Sequence, residues 1–342
     1  MSKPRNRRIR VTQQETAAGT TKMEAFSFGD PVPVLDRREI LDYLQCSDAG
    51  KWYEPPISWE GLARSWRASV HHASALAVKR NRLAALYKPH KLLSREHFTI
   101  LAQDFLIFGN GYLERERNVL GGTIRHKPAL AKHTRRGKVA GQYWWVPNHG
   151  QEQELGEVCH LIEPDINQEI YGLPEYLAAL NSAWLNESAT LFRRKYYLNG
   201  SHAGFLLYMT DAAHSQKDVD ELRQKVKESK GVGNFRNLFM YAPGGKKDGV
   251  QIIPISEVAA RDEFFNIKNV TRDDVLAAHR VPPQLLGIVP SNTGGFGDVS
   301  KADEAFHEGE IVPLQARLSA INDMVKEDII QFLPYNPKSQ AQ

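Results

Sequence analysis

The chain predicts a mixed α+β fold, and three observations carry that prediction. "YGLPEYLAALNSAWLNESATLFRRKYYLNG", residues 171–200, is a long helical pattern with Pro174 at its start and Gly200 at its stop. "GYLERERN" and "TIRHKPAL" read as two strands around the turn "NVLGG". Leu314, Leu318, Ile321 and Val325 recur at helical spacing and make a clean apolar seam. The 342 residues suffice for two or three compact domains or one elongated subunit, and 42% of them are hydrophobic. A net charge of +4 is mild, so the distribution of charge matters more than its sum.

The first 25 residues read as a tail. Lys3, Arg5, Arg7, Arg8 and Arg10 come with no acid in the first ten positions, and a polar run follows. Such a segment cannot bury enough apolar surface to order itself. It is either a solubilising tail or an arm that binds phosphates or an acidic partner. "FSFGDPVPVLD" is a proline-punctuated strap, and "DRREILDYLQC" reads as a short helix. "SWEGLARSWRASVHHASALAVKRNRLAALY" reads as one helical stretch with Leu62, Trp66, Val70, Leu76 and Leu83 on its apolar side. Trp52, Tyr53, Trp59 and Trp66 fit packing better than base stacking.

Ser94 is placed to cap a helix carrying Phe98, Ile100, Leu101 and Phe105, which stops at "FGNGY" and turns into a strand. From Arg115 to Lys138 the chain carries Arg115, Arg117, Arg125, Lys127, Lys132, Arg135, Arg136 and Lys138 against the single acid Glu116. A solvated strand face and a contact with nucleic acid or an acidic protein are both open readings. In the 171–200 helix Leu177, Leu180, Trp184 and Leu191 form the stripe, and Arg193, Arg194 and Lys195 suit its C-terminal turn. "GFLLYM" is a buried strand, "SQKDVDELRQKVKESKG" a surface helix, and "NLFMYAPGGKKDGVQIIPIS" two strands about a glycine-lysine loop. "EVAARDEFFNIKNVTRDDVLAAHRVPPQLLGI" is helical up to Pro282, and a further helix after the glycine-rich loop is kinked or restarted at Pro313.

No motif supports catalysis. "PGGKKDG" lacks the Ser or Thr after lysine that a phosphate loop needs, and "NTGGFGD" lacks both the lysine and the preceding strand. Asp303, Glu304, His307 and Glu308 share one helix, and Asp273, Asp274 and His279 another. Carboxylates beside one histidine on an amphipathic helix read as a solvated face sooner than as a metal site. His71 and His72 are adjacent and so point to different faces. Cys46 and Cys159 stand far apart in no metal spacing and read as reduced thiols. With no apolar leader and no membrane-length apolar run, the expected setting is a cytoplasm, with no cofactor, no metal and no membrane.

The order of "FGNGYLE", "IYGLPEYLAAL…FRRKYYLNGSHAGFLL", "APGGKKDGVQIIPIS", "VTRDDVLAAHRVPPQLLGI" and "DEAFHEGEIVPLQARL" resembles the portal proteins of tailed bacteriophages, most closely the PBSX-type portals of contractile-tailed phages. The resemblance spans about residues 30–332. It implies a non-catalytic homo-oligomeric ring, usually of twelve subunits, built from wing, helical stem, clip and crown-side parts. The ring passes double-stranded DNA at one capsid vertex during packaging and ejection. Implied partners are the terminase large subunit, the major capsid protein and scaffold, and head-completion proteins. The implied setting is the virion, with the host cytoplasm during assembly.

Carried onto this chain, the family's parts fall at 1–25 (basic arm), 26–110 (wing, first part, and descending helix), 111–171 (clip-like β-rich segment) and 172–200 (stem helix). They continue at 201–262 (wing, second part), 263–298 (channel helix and tunnel-loop region), 299–333 (crown-side helix) and 334–342 (tail). Lys268 and Arg272 become candidates for DNA-backbone contacts in the channel. Arg125, Lys127, Lys132, Arg135, Arg136 and Lys138 become candidates for the clip's partner contacts, and Arg5, Arg7, Arg8 and Arg10 for contacts with scaffold or the procapsid interior. Gly294, Gly295 and Gly297 become a bend and not a nucleotide site. The rival readings are a non-catalytic DNA-binding adaptor and a metal-dependent DNA-processing enzyme using Asp273, Asp274 and His279.

Overall fold

Serine caps divide the first helical region. In the computed structural model, which describes residues 46, 48–198, 205–209, 250–254, 258–289 and 297–336, α1 (Trp59–Ser65) and α2 (Val70–Leu86) are separate helices. Ser69 is extended and its hydroxyl accepts from His71 N, so the second helix has its own N-cap where the apolar pattern reads through. Leu62, Leu76 and Leu83 are buried as the pattern requires, but Val70, in the first turn after the cap, is 67% exposed. β1 (Tyr87–Lys88) follows at once.

α3 (Arg95–Phe108) starts where Ser94 accepts from His97 N and stops at Gly109, whose φ of 67° is left-handed. The same glycine lets two segments touch: a Cβ there would lie 2.5 Å from the carbonyl carbon of Leu173. β2 (Asn110–Arg117) and β3 (Thr123–Pro128) form the expected hairpin. β4 (Thr134–Arg136), β5 (Tyr143–Trp145) and β6 (Gln153–Glu154) make a small antiparallel sheet, and β7 (Glu157–Ile162) returns to pair with β2 in the order β3-β2-β7. Tyr112, Leu113, Tyr143, Leu161 and Tyr171 from this region share one buried cluster with Leu62, Leu83, Phe98 and Leu101. The strands of 111–171 are therefore built onto the main core.

The long helical pattern begins as a 3-10 turn (Glu175–Ala179) behind Pro174 and becomes α4 (Leu180–Leu198). Leu180 is buried, whereas Leu191 is 54% exposed, so the stripe covers only the first half of the helix. β8 (Phe205–Met209) and β9 (Val250–Pro254) pair antiparallel, and α5 (Val258–Ala278) comes next. α5 stops short of the prolines: Arg280 turns left-handed with φ 55°, and Pro283–Leu286 forms a 3-10 turn. α6 (Val299–Phe306), a π-turn (His307–Ile311) and α7 (Val312–Val325) follow, with Pro313 in the first turn of α7, where a missing N–H is harmless. Leu314, Leu318, Ile321 and Val325 are all buried. The expected helix through Leu333 ends instead at Lys326, φ 59°, and β10 (Gln331–Phe332) pairs with β1.

α4 and α5 lie side by side and antiparallel. Ser182 donates to Asp274 and Asn186 to Thr271, so partners descend on one helix as they ascend on the other. Between them Ala179, Ala183 and Val275 form a second, small buried cluster. The arm with Arg5, Arg7, Arg8 and Arg10, the strap, the short helix after it, the 215–231 helix, the "PGGKKDG" loop, Gly294 and Gly295 lie outside the described residues.

Candidate functional site

The expected channel positions sit on α5 against α4. Lys268 is partly buried, and burial together with the nearby Arg193 cation lowers its pKa. Arg272 holds Asp273 at 2.8 Å through Nε and Asn269 at 3.4 Å. His71, at the start of α2, is lowered by burial and then by Arg272 and Lys268. Four cationic or ionisable groups from three helices thus share one neighbourhood: His71, Arg193, Lys268 and Arg272. In the sequence Arg193 reads only as a helix-end cation. Its place beside Lys268 comes from the antiparallel pairing, for which the sequence offers no local signal.

Asn186 fixes that pairing from inside. It is buried and donates to Thr271 Oγ1 at 2.8 Å and to the Lys268 carbonyl at 3.4 Å, while Ser69 donates to it at 3.4 Å. A buried amide whose partners come from α5 and the α2 cap specifies register, because any slip leaves polar groups unsatisfied.

The basic segment is less free than its sequence suggests. The hairpin register sets Arg125 opposite Glu116 and Lys127 opposite Glu114. Arg125 reaches Glu116 at 2.5 Å, and Lys127 reaches Glu116 at 2.9 Å and Glu114 at 3.2 Å. Hydrogen bonds from Arg125 and Lys127 hold the Glu116 carboxyl down at about 2. Lys132 pairs with Glu60 at 2.6 Å, Arg135 with Glu54 at 2.9 Å and Lys138 with Asp48 at 2.6 Å. Arg115 and Arg117 share Glu157. Arg136 donates to the Tyr143 hydroxyl at 2.9 Å and lies over that ring. The run looks unbalanced in one dimension because most of its acids come from elsewhere in the chain.

The aromatic and acidic clusters resolve as packing and pairing. Trp59 is buried against Phe108, Tyr112 and Tyr171, and Trp52 lies 6.0 Å from Trp144. Asp273, Asp274 and His279 do not converge: Asp274 accepts from Ser182, and His279 is buried with Nε2 at 2.8 Å from His72 Nδ1. Asp303 pairs with Arg82 and accepts from Tyr335, on whose ring His307 stacks at 4.0 Å. Among the described residues, no three His, Cys, Asp or Glu side chains come together as a metal site would need. Cys46 and Cys159 are free, with burial raising both thiols. Gly297 is left-handed at φ 68°, and Asp298 after it caps α6. Among the described residues no helix is long and apolar enough to cross a membrane.

Comparison with known proteins gives a consistent result. The phage portal protein family model matches residues 71–325, from the start of α2 to the end of α7. A probable portal protein of Escherichia phage P2 is 52% identical over 338 residues, covering 98% of each chain. A probable portal protein of Haemophilus phage HP1 is 38% identical over 301 residues, 83% of this chain and 87% of the relative. An HK97-family phage portal protein from Corynebacterium diphtheriae has a similar fold, with TM-score 0.56 and 16% identity over 81% of this chain and 95% of that one. So has a chain in the neck of a native gene transfer agent particle, computed with C12 symmetry, at TM-score 0.55 and 17% identity over 80% and 83%.

Proposed function

Since the chain belongs to the phage portal protein family, we propose that it forms a ring of about twelve copies at one capsid vertex, through which double-stranded DNA is packaged and later ejected. The observation that carries this is the 52% identity to the phage P2 relative across 98% of both chains. The twelvefold neck of like fold supports the number. The ring is a mechanical conduit. It does no chemistry, and the terminase that docks on it supplies the motor. Its place is the virion, reached by assembly in the host cytoplasm with scaffold and the major capsid protein, and head-completion proteins attach after packaging.

Lys268 and Arg272 contact the DNA backbone in this reading, joined by Arg193 and His71. A conduit must hold DNA loosely, since each firm phosphate contact has to be broken for the duplex to advance. The partial burial of Lys268 and the Asp273 partner of Arg272 fit that moderation. The arm residues Arg5, Arg7, Arg8 and Arg10 face scaffold or the procapsid interior.

The antiparallel α4–α5 pair supports the stem and channel-helix assignments at 172–200 and 263–298. Partner contacts fall to the clip at 111–171, where Arg125, Lys127, Lys132, Arg135, Arg136 and Lys138 can exchange an internal carboxylate for one on a partner. One observation favours a second placement. The strands of 111–171 share the main core, whereas β8 and β9, which pair with each other, lie in the sequence between α4 and α5. Replacing 210–249 by a short Gly/Ser link should then spare the ring and abolish terminase binding, with Arg125→Ala and Lys127→Ala harmless. The opposite pattern assigns the contact to 111–171.

The first test is the mass and symmetry of the purified protein by light scattering and negative-stain imaging. Closed rings with a central hole are the expected result. A monomer at all salt and protein concentrations, with scaffold present, overturns the reading.

A further inference from the structure

Six charged side chains form one alternating chain at the root of the α4–α5 pair. Lys79 Nζ meets Glu310 Oε1 at 2.5 Å, and Arg280 Nε meets Glu310 Oε2 at 3.1 Å. Arg280 continues to Glu175 Oε2 at 2.8 Å. Arg317 takes Glu175 Oε1 at 3.1 Å and Glu163 Oε2 at 2.5 Å. Three cations and three carboxylates alternate without a break. Glu175 lies just before α4 and Arg280 just after α5, while Lys79, Glu163, Glu310 and Arg317 belong to α2, the end of β7, the π-turn and α7. Both strands of the helix pair are thus tied to the body at the same level.

The backbone at this point is unusual twice over. Arg280 is left-handed at φ 55°, a conformation that residues with a side chain rarely adopt. Glu310 sits in a π-turn, a local widening of the helix that recurs at functional positions. A cavity of about 20 Å³, room for about one water, lies beside the chain and is lined by Lys79, Glu163, Glu175, Tyr176 and His279. Beyond the root, α4 and α5 hold each other through Ala179, Ala183 and Val275 and through Asn186 with Thr271. Further along, the pair meets the body again, where Ser69 donates to Asn186 at 3.4 Å and Trp184 Nε1 to Ser65 Oγ at 3.3 Å, so a swing at the root must also give up these two long hydrogen bonds.

We propose that this ion chain is a latch that sets the angle of the α4–α5 pair on the body, and that opening at Arg280 and Glu175 lets the two helices swing together. The Lys79–Glu310 link is buried, with side chains 5% and 4% exposed, and stays closed as the anchor. The links through Glu175 are the releasable ones, because Arg280 is 46% exposed and Glu175 30%. The left-handed turn itself is held by the backbone, Arg280 N to Ala277 O and Val281 N to Leu276 O, both at 3.0 Å, so the Arg280 side chain can let go while the turn that ends α5 stays formed. The inference stands apart from the ring reading, since it concerns the angle within one chain.

The test is a distance measurement between spin labels at two exposed positions, Val270→Cys on α5 and Ile124→Cys on β3, with Cys46 and Cys159 replaced by Ser. The labelled full-length chain is diluted into an excess of unlabelled protein, so that only distances within one chain register. At low salt the parent should give one narrow distance. Glu175→Gln, which keeps the shape and removes the charge, should add a second distance population. So should the parent at 1 M salt, where screening reaches about 3 Å. A single unchanged distance in both overturns the latch. So does a change that appears only together with loss of overall helical circular dichroism. If Glu175→Gln does not fold, the salt series on the parent decides alone.

Discussion

Asp104 shows how a single buried group sets a pH response. It lies in α3, accepts from Ala131 N at 2.8 Å, and burial pushes its carboxyl up to about 7. An unfolded chain loses this proton near 3.9, so between about 4 and 7 the folded protein keeps a proton that the unfolded chain has released. Stability therefore falls as pH rises across that window, and the loss is complete above 7. His72 and His160 act in the opposite sense. Burial lowers them to about 4 and about 3, so the stability they allow above about 6.5 is lost as pH falls towards those values. Asp104→Asn keeps an acceptor for Ala131 N without the charge. Its melting temperature should exceed the parent's at pH 8, by the equivalent of a few kcal/mol, and match it near pH 4. Equal melting temperatures at pH 8 would count against a raised Asp104. Gly172 makes a steric case: an added Cβ would lie 2.2 Å from the Gly109 carbonyl oxygen, which is backbone and cannot yield. Gly172→Ala should lower the denaturant midpoint by the equivalent of at least about 3 kcal/mol or prevent folding.

At the scale of elements, two helices show two ways of holding position. α7 is held by its apolar seam, in which Leu318 and Ile321 are fully buried. Leu318→Ala should cost about 2–5 kcal/mol in urea unfolding, the range for a leucine truncation in a packed core. α4 and α5 hold each other largely through small and polar residues. Asn186→Ala leaves Thr271 and Ser69 without their amide partner and should cost about 1–3 kcal/mol. The seam of α7 is legible in the sequence because helical period alone specifies it. The α4–α5 contact is not, because alanines and one asparagine leave no periodic trace. The break between α1 and α2 is hidden for a related reason: hydrophobic spacing runs through it, while α1 stops at Ser65 and Ser69 starts α2 through a hydrogen bond that spacing does not report.

For the whole molecule, the proposed DNA path runs past Lys268, Arg272 and Arg193, with His71 beside them, and its test is a salt series. Lys268→Ala with Arg193→Ala should weaken duplex retention by purified rings and flatten the dependence of log affinity on log salt by about one to two units. An unchanged slope would remove these residues from the DNA path. The double variant should leave ring assembly as it was, which negative-stain imaging reads directly.

The sequence by itself determined the α+β class, the hairpin about "NVLGG", the capped helix from Ser94 to Gly109, the α7 seam and, through the order of its motifs, the portal resemblance. All of these rest on local chemistry: period, caps, turns and short spacing. Tertiary structure decided the rest, for one physical reason. A charge has meaning only with its partner, and most of the partners here lie tens to hundreds of residues away. Lys132 finds Glu60, Lys138 finds Asp48 and Lys79 finds Glu310. In one dimension residues 115–138 are a basic run and Lys79 is one cation on a helix. In three, the run is largely neutralised, and Lys79 begins the ion chain that ties the helix pair to the body.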